Sequence, residues 1–192
     1  EVSAGIAAEY FNVAHRSDEK RAFALVTAGP GITNMATAIG GAWLESRELL
    51  IVGGQARTDF ISHPEVRQIG HQQIDGRSIV EPMSKLSITI TEPISRNELK
   101  SLTDSSKTGR KGPVFLEICL DVTAMEVDVE SLNKIPSRTT KVAKELIESD
   151  KQAIEELGTL MKSSTRPLNL IGGGLDFSHF KKLWPEIETL NI

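Results

Sequence analysis

Cysteine is almost missing from this chain: Cys119 is the only one among 192 residues. A single thiol excludes an internal disulfide and any zinc site built on cysteine pairs. A basic excess is missing too, with 22 Lys+Arg against 26 Asp+Glu and a formal charge of −4. Nucleic-acid binders need a basic stripe to displace counterions, so that class of partner is set aside. No apolar run approaches the roughly 20 residues that a membrane-spanning helix requires. Internal repeats and low-complexity tracts are absent, which sets aside solenoids and disordered tails. The chain also lacks an initial Met and a signal-peptide pattern. It opens at Glu1 already in helical pattern, and is read as a piece of something longer.

What is present is ordinary for an α/β protein: 39% apolar residues, 25% charged, and 15 glycines. The opening EVSAGIAAEYFNVAHR places Ala4, Ala7, Ala8 and Phe11 at helical spacing. Small residues there let a helix sit close to its neighbour. Ser17 to Arg21 is a charged turn. Ala22 to Thr27 is a short continuous apolar run, the pattern of a strand buried on both faces. A Gly-Pro-Gly turn, a second Ala/Gly-rich helix and a buried strand from Leu49 to Gly54 follow. Strand, turn, helix and strand in so short a span predict a crossover unit of a parallel sheet.

From Gln55 to Ile79 the periodicity fades into Gly, His, Gln and Arg, a long loop of the kind that carries function. Leu86 to Ile90 alternates like a strand. Ser95 to Glu98 is a capping box opening a helix to about Lys107, and VFLEICL is a third buried strand. Residues 123–145 lack convincing periodicity and read as a linker between residues 1–122 and 146–192. Ser149 to Gln152 opens another helix, PLNLIGGG reads as a strand meeting a glycine turn, and a last helix follows. The fold class is therefore α/β: an open parallel sheet flanked by helices, incomplete, then the start of a second Rossmann-like α/β domain.

Four places could carry chemistry. In VTAGPGITN, Gly29 and Gly31 permit close approach of a ligand to the backbone, Pro30 stiffens the turn, and a helix N-terminus follows. Gly29-x-Gly31 begins a dinucleotide fingerprint, but Asn34 stands at its sixth place. The next strand ends in Gly53-Gly54-Gln55 instead of an acid for a ribose. A plain structural turn fits the spacing equally well. Glu1, taken alone, is a first-turn carboxylate that complements a helix dipole. The loop with His63, His71, Gln72, Gln73 and Asp75 lacks the spacing that would converge its histidines on a metal, and reads otherwise as polar surface. Gly172, Gly173 and Gly174 after a strand form a nucleotide-compatible or merely structural turn. His15 and His179 read as half-exposed packing residues, and Cys119 as a small apolar filler.

Together these pieces resemble the thiamine-diphosphate-dependent 2-oxo acid enzymes of the acetolactate synthase group. Glu1-x-x-Ala4 with Ala8 resembles the family's catalytic Glu and its helix. VTAGPGITN is similar to the family's Val-Thr-Ser-Gly-Pro-Gly-x-Thr-Asn. LLIVGGQ with Gln55, Gln72-x-x-Asp75 followed by Pro82-x-x-Lys85, GRKGPVFLEICLDV and RPLNLIGGG continue the likeness in order along nearly the whole chain.

The resemblance implies a pyrimidine-binding domain over residues 1–122 and the start of a central domain over 146–192. It implies that Glu1 hydrogen-bonds N1′ of the cofactor's aminopyrimidine and drives loss of the thiazolium C2 proton. Addition to a 2-oxo acid such as pyruvate, loss of CO₂ and transfer to a second carbonyl would follow, with the cofactor supplying the chemistry. Gly29, Pro30, Gly31 and Asn34 resemble the pyrimidine pocket, and Gln72 the family's active-site Gln. Arg110 and Gly172 to Gly174 resemble positions that contact FAD in flavin-containing members. His71 and Lys85 fall on the substrate side.

Three positions depart from the family pattern. His71 replaces a Phe and makes the acceptor pocket more polar, Glu48 stands where a Pro is common, and Ala28 replaces a Ser. No Gly-Asp-Gly with a later Asn-Asn occurs, so the Mg²⁺ and diphosphate half of the site is expected on a domain outside this chain. That half comes from a neighbouring subunit, which implies a cytoplasmic homodimer or homotetramer of a branched-chain amino acid biosynthetic transferase or lyase. Residues 1–192 by themselves are expected to be inactive and to bind thiamine diphosphate weakly or not at all. Two other readings stay open: a non-carboligating 2-oxo acid decarboxylase of the same family, and a non-catalytic nucleotide-binding or regulatory module with the same fold. A nicotinamide dehydrogenase is opposed by Asn34 and the missing acid.

Overall fold

Small side chains decide how the first helices meet. A computed structural model describes residues 1–15, 20–61, 65–134, 148–172, 175 and 177–189, in two units, 1–139 and 140–192. In the first unit, α1 (Val2–Ala14) packs on α2 (Pro30–Leu44). A Cβ on Gly5 would lie 2.6 Å from that of Ala38 and 2.9 Å from Met35 Sδ, so the helices touch where neither carries bulk. Pro30 opens α2 at the position where its missing N–H costs nothing.

Four parallel strands follow the sequence expectation: β1 (Ala24–Val26), β2 (Leu49–Gln55), β3 (Leu86–Ile90) and β4 (Pro113–Cys119), in the order β1-β2-β4-β3. Register pairs Val26 with Gly53, Gly53 with Glu117, and Thr89 with Glu117. Between β2 and β3 lie α3 (Gly76–Val80) and a 3₁₀ turn (Glu81–Met83); α4 (Arg96–Asp104) precedes β4. Ser95 Oγ accepts the Glu98 amide at 3.1 Å, the expected cap, although the helix stops at Asp104, short of Lys107.

Both faces of the sheet are covered, which is why its central strands read as unbroken apolar runs. One face packs Leu49, Ile51 and Phe115 with Ile32, Met35 and Ile39 of α2 and Ala8 of α1. The other packs Leu50, Val114 and Leu116 with Leu102 of α4. The apolar run at Ala22–Thr27 departs from the expectation of two-sided burial. β1 is an edge strand only three residues long, and Leu25 is 71% exposed, because nothing in the described residues covers its outer side.

Beyond β4 a 3₁₀ turn (Val122–Ala124) and the exposed α5 (Val129–Lys134) occupy part of the segment read as a linker. The second unit contains α6 (Glu148–Ser163) and α7 (Phe177–Thr189), both expected. The strand expected before its glycine turn is not formed over residues 167–172, and Leu168 and Leu170 are each 91% exposed. A strand needs a neighbour to satisfy its N–H and C=O groups, and the described residues of this unit form only helices.

Candidate functional site

Parallel strands end together, and the turns at their carboxyl ends converge on one edge of the sheet. After β1 the chain turns at Gly29, which caps α2 with φ of +65°. A Cβ there would lie 2.7 Å from the Gln72 carbonyl oxygen and 3.0 Å from Gln72 Cβ, so only glycine fits beneath the loop. Gly31 is similarly tight, with Thr27 Oγ1 2.7 Å from where its Cβ would stand. One turn into α2, Asn34 Nδ2 donates to Glu1 Oε2 at 3.1 Å. Glu1 is the residue that caps α1, and the close α1–α2 contact carries it to the start of α2. Glu1, Gly29, Pro30, Gly31, Asn34 and Gln72, far apart in sequence, therefore gather at one place. Of these, Glu1, Pro30, Asn34 and Gln72 are exposed, as is His71 beside Gln72.

The loop between β2 and α3 is held by side chains that sequence reasoning gave no role. Gln73 Oε1 accepts the amides of Ile69 and Gly70, each at 2.9 Å, and its Nε2 donates to the Phe60 carbonyl at 3.2 Å. Those bonds fold the loop on itself and leave Gln72 in the left-handed region, φ +58°. Asp75 caps α3 by accepting the Ser78 amide at 3.0 Å, and bonds to Ser78 hold its carboxyl below the usual carboxylate range. Asp121, just past β4, takes the Thr58 amide at 3.0 Å and the Thr58 hydroxyl at 2.6 Å, which lowers its pKa as well.

Glu117 was missed. It lies in β4 at 1% exposure and accepts from Gln55 Nε2 and from Thr89 Oγ1, each at 2.9 Å. Burial pushes its pKa up, while Thr89, Gln55 and the Gly76 amide pull it back. The signal was available: a carboxylate inside VFLEIC, an otherwise apolar strand, has to be paired to be buried. A polar cavity of about 320 Å³ opens over it, lined among others by Gln55, Arg67, Asp75 and Thr89.

Lys85 and Arg110 are not brought to this end. They precede β3 and β4, at the amino ends of the strands. Lys85 Nζ donates to the Thr108 carbonyl, and partial burial lowers its pKa. Arg110 Nε donates to Ser46 Oγ at 2.8 Å, and its guanidinium lies 6.0 Å from the Trp43 ring centroid. Glu48, a departure from the family pattern, is 7% exposed and pairs with Arg21 Nε at 2.6 Å, so it anchors the segment before β1. Gly172 belongs to the second unit and is exposed; Gly173, Gly174 and His63 lie outside the described residues. Cys119 is fully buried, as expected of a filler, and burial raises its pKa to about 11.

These residues fit one half of thiamine diphosphate. A carboxylate beside a side-chain amide offers an acceptor and a donor to an aminopyrimidine edge, and Gly29 keeps the adjoining backbone free of a side chain. Among the described residues no cluster of His, Cys, Asp or Glu could hold a metal, and no helix is long and apolar enough to cross a membrane.

Comparison with known proteins gives the same answer from a different direction. Residues 1–79 match the family described as thiamine pyrophosphate enzyme, N-terminal TPP binding domain. The chain is 28% identical to a probable acetolactate synthase large subunit of Methanococcus aeolicus over 92% of its own length and 29% of that protein's. It is 30% identical to the acetolactate synthase large subunit of Lactococcus lactis over 85% of its length and 27% of that protein's. Glyoxylate carboligase of Escherichia coli O157:H7 is 27% identical over 79% of the chain and 24% of its own length. The chain thus spans less than a third of each of these relatives. By these matches residues 1–79 carry the pattern of a thiamine pyrophosphate enzyme N-terminal TPP binding domain, in a chain similar over most of its length to part of acetolactate synthase large subunits.

Proposed function

We propose that the chain supplies the pyrimidine-binding half of a thiamine-diphosphate-dependent carboligase acting on a 2-oxo acid such as pyruvate. The observation that carries this reading is the Glu1–Asn34 pair beside the Gly29 turn. Bound there, thiamine diphosphate supplies an acidic C2–H whose loss gives a nucleophile for the 2-oxo acid carbonyl. Glu1 would hold N1′ by a shared proton, the contact that favours the imino tautomer of the aminopyrimidine. Asn34 holds the Glu1 carboxylate in place, and Pro30 and Gly31, which open α2, would line the pyrimidine pocket. Gln72, over the Gly29 turn, would lie on the substrate side, with His71 beside it making that side more polar than a Phe would.

In this reading residues 1–122 are the pyrimidine-binding domain, 123–145 a linker and 146–192 the start of a central domain. The exposure of Glu1, Asn34 and Gln72 supports a site closed by another surface, with diphosphate and Mg²⁺ held by a domain of a neighbouring subunit in a homodimer or homotetramer. Arg110 would serve FAD away from the Gly29 turn, since it sits at the other end of the sheet; for Gly172 to Gly174 an FAD role rests on the resemblance alone. The likeness to acetolactate synthases favours branched-chain amino acid biosynthesis as the setting.

The second reading, a decarboxylase without carboligation, rests on His71, whose imidazole could return a proton where a Phe could not. Incubating the full-length enzyme with pyruvate separates them. Acetolactate as the main product supports carboligation, and acetaldehyde without acetolactate supports the alternative.

A further inference from the structure

Glu117 touches none of the residues proposed to meet the cofactor, yet its partners sit at both ends of the loop that carries Gln72. Gln55 closes β2, and its side chain divides between two tasks. Its Oε1 accepts the Ala56 amide at 2.8 Å, where the loop begins. Its Nε2 donates to the Ile74 carbonyl at 2.7 Å, where the loop ends, and to Glu117 Oε1 at 2.9 Å. The Gly76 backbone lies against Glu117 as well: a Cβ on Gly76 would fall 2.6 Å from Glu117 Oε1 and 2.9 Å from Ile32 Cδ1. Gly76 is therefore wedged between this carboxylate and Ile32 in the first turn of α2, two residues before Asn34. From the third strand, the Thr89 hydroxyl fills the other oxygen.

We infer that Glu117 is a positioning residue: its buried carboxylate ties both ends of the β2–α3 loop to the sheet and so seats Gln72 over the Gly29 turn. This rests on the reading that Gln72 belongs to the site. The chemistry makes a specific demand on this position. The Gln55 amide is oriented by the Ala56 N–H, so its NH₂ faces Glu117 and Oε1 has to be an acceptor. Thr89 is a hydroxyl and can turn to accept instead of donate. A glutamine at 117 can satisfy both partners, with its oxygen toward Gln55 and its NH₂ toward Thr89. A leucine takes away the acceptor of one Gln55 N–H and of the Thr89 hydroxyl, leaving Gln55 only its Ile74 and Ala56 bonds, which is costly.

The test uses the full-length holoenzyme with Glu117→Leu, Glu117→Gln, Gln72→Ala and the double variant Glu117→Leu/Gln72→Ala. Hydrogen exchange at amides 69–76 should rise about tenfold or more in Glu117→Leu, with those of α1 unchanged. Turnover should fall roughly tenfold or more in Glu117→Leu and return to within about threefold in Glu117→Gln. In the Gln72→Ala background, adding Glu117→Leu should cost less than about twofold, because its route of action is already lost. Equal proportional losses in both backgrounds, or unchanged exchange in the loop, would overturn the inference. If Glu117→Leu does not fold, Gln55→Met removes the same tie from its other side and is read by the same cycle. Full turnover in Gln72→Ala alone would instead overturn the reading of the site on which the inference stands.

Discussion

Asn34 donates to Glu1 across 33 positions of sequence, joining the N-terminal part of α2 to the residue that caps α1. Because both side chains are exposed, the bond adds little to stability, while it fixes the direction of the carboxylate. Asn34→Ala should therefore cost less than about 1 kcal/mol in urea denaturation. In the full-length enzyme it should weaken thiamine diphosphate binding by about tenfold, measured calorimetrically.

Gly29 and Gly41 both lie at α2, and alanine should act oppositely at the two. At Gly29 the positive φ and the Gln72 carbonyl leave no room, so Gly29→Ala should destabilise by about 2 kcal/mol or more. At Gly41, inside the helix, nothing lies within 4 Å of an added Cβ. Gly41→Ala should stabilise by roughly 0.5–1 kcal/mol. Paired urea titrations check both signs.

Much of this arrangement was legible from residue order. Continuous apolar runs flagged β2 and β4 because helices cover both faces of the sheet, and the Ser95 box flagged α4 because capping is local. Leu25 shows where such reasoning stops: an apolar run does not reveal that its strand lies at an edge. Residues 167–172 fail for a related reason, since a strand is a property of its partner as much as of its own side chains. Glu1, Asn34 and Gln72 were found through likeness to a family, because nothing in their spacing indicates convergence. Lys85 came with the same likeness, and the register of β3 places it at the other end of the sheet. Glu117 was overlooked, and Gln73 was named only as part of a polar loop, because their roles depend on which groups the folded loop presents to them.

Two carboxylates near Gln72 should give opposite pH dependence. Bonds to Ser78 lower the Asp75 pKa, so its stabilising contribution is present above the unfolded-chain value near about 4 and is lost as pH falls through the lowered one. Burial raises that of Glu117, with Asp75 adding repulsion, so folding loses stability as pH rises from the ordinary glutamate range through the raised value. Asp75→Asn should flatten the acid limb of a stability–pH curve while keeping the α3 cap. Glu117→Gln should flatten the opposing slope. Asp75→Ala should cost about 1 kcal/mol at neutral pH through loss of the cap.

Cys119 offers a probe of β4. It is fully buried with a pKa near 11, so iodoacetamide at neutral pH should label it more than about a hundredfold slower than a free thiol. Labelling should become fast in urea. Rapid labelling of the native protein would contradict the burial of this strand.

The central claim is that Glu1 is the acceptor that activates the cofactor, and exchange of the thiamine diphosphate C2 proton for deuterium measures that step alone. In the full-length enzyme carrying Glu1→Gln, NMR should show C2 exchange slowed by about a hundredfold or more, with the circular dichroism spectrum unchanged. Exchange at the unsubstituted rate in that variant, with cofactor bound, would contradict the assignment of Glu1.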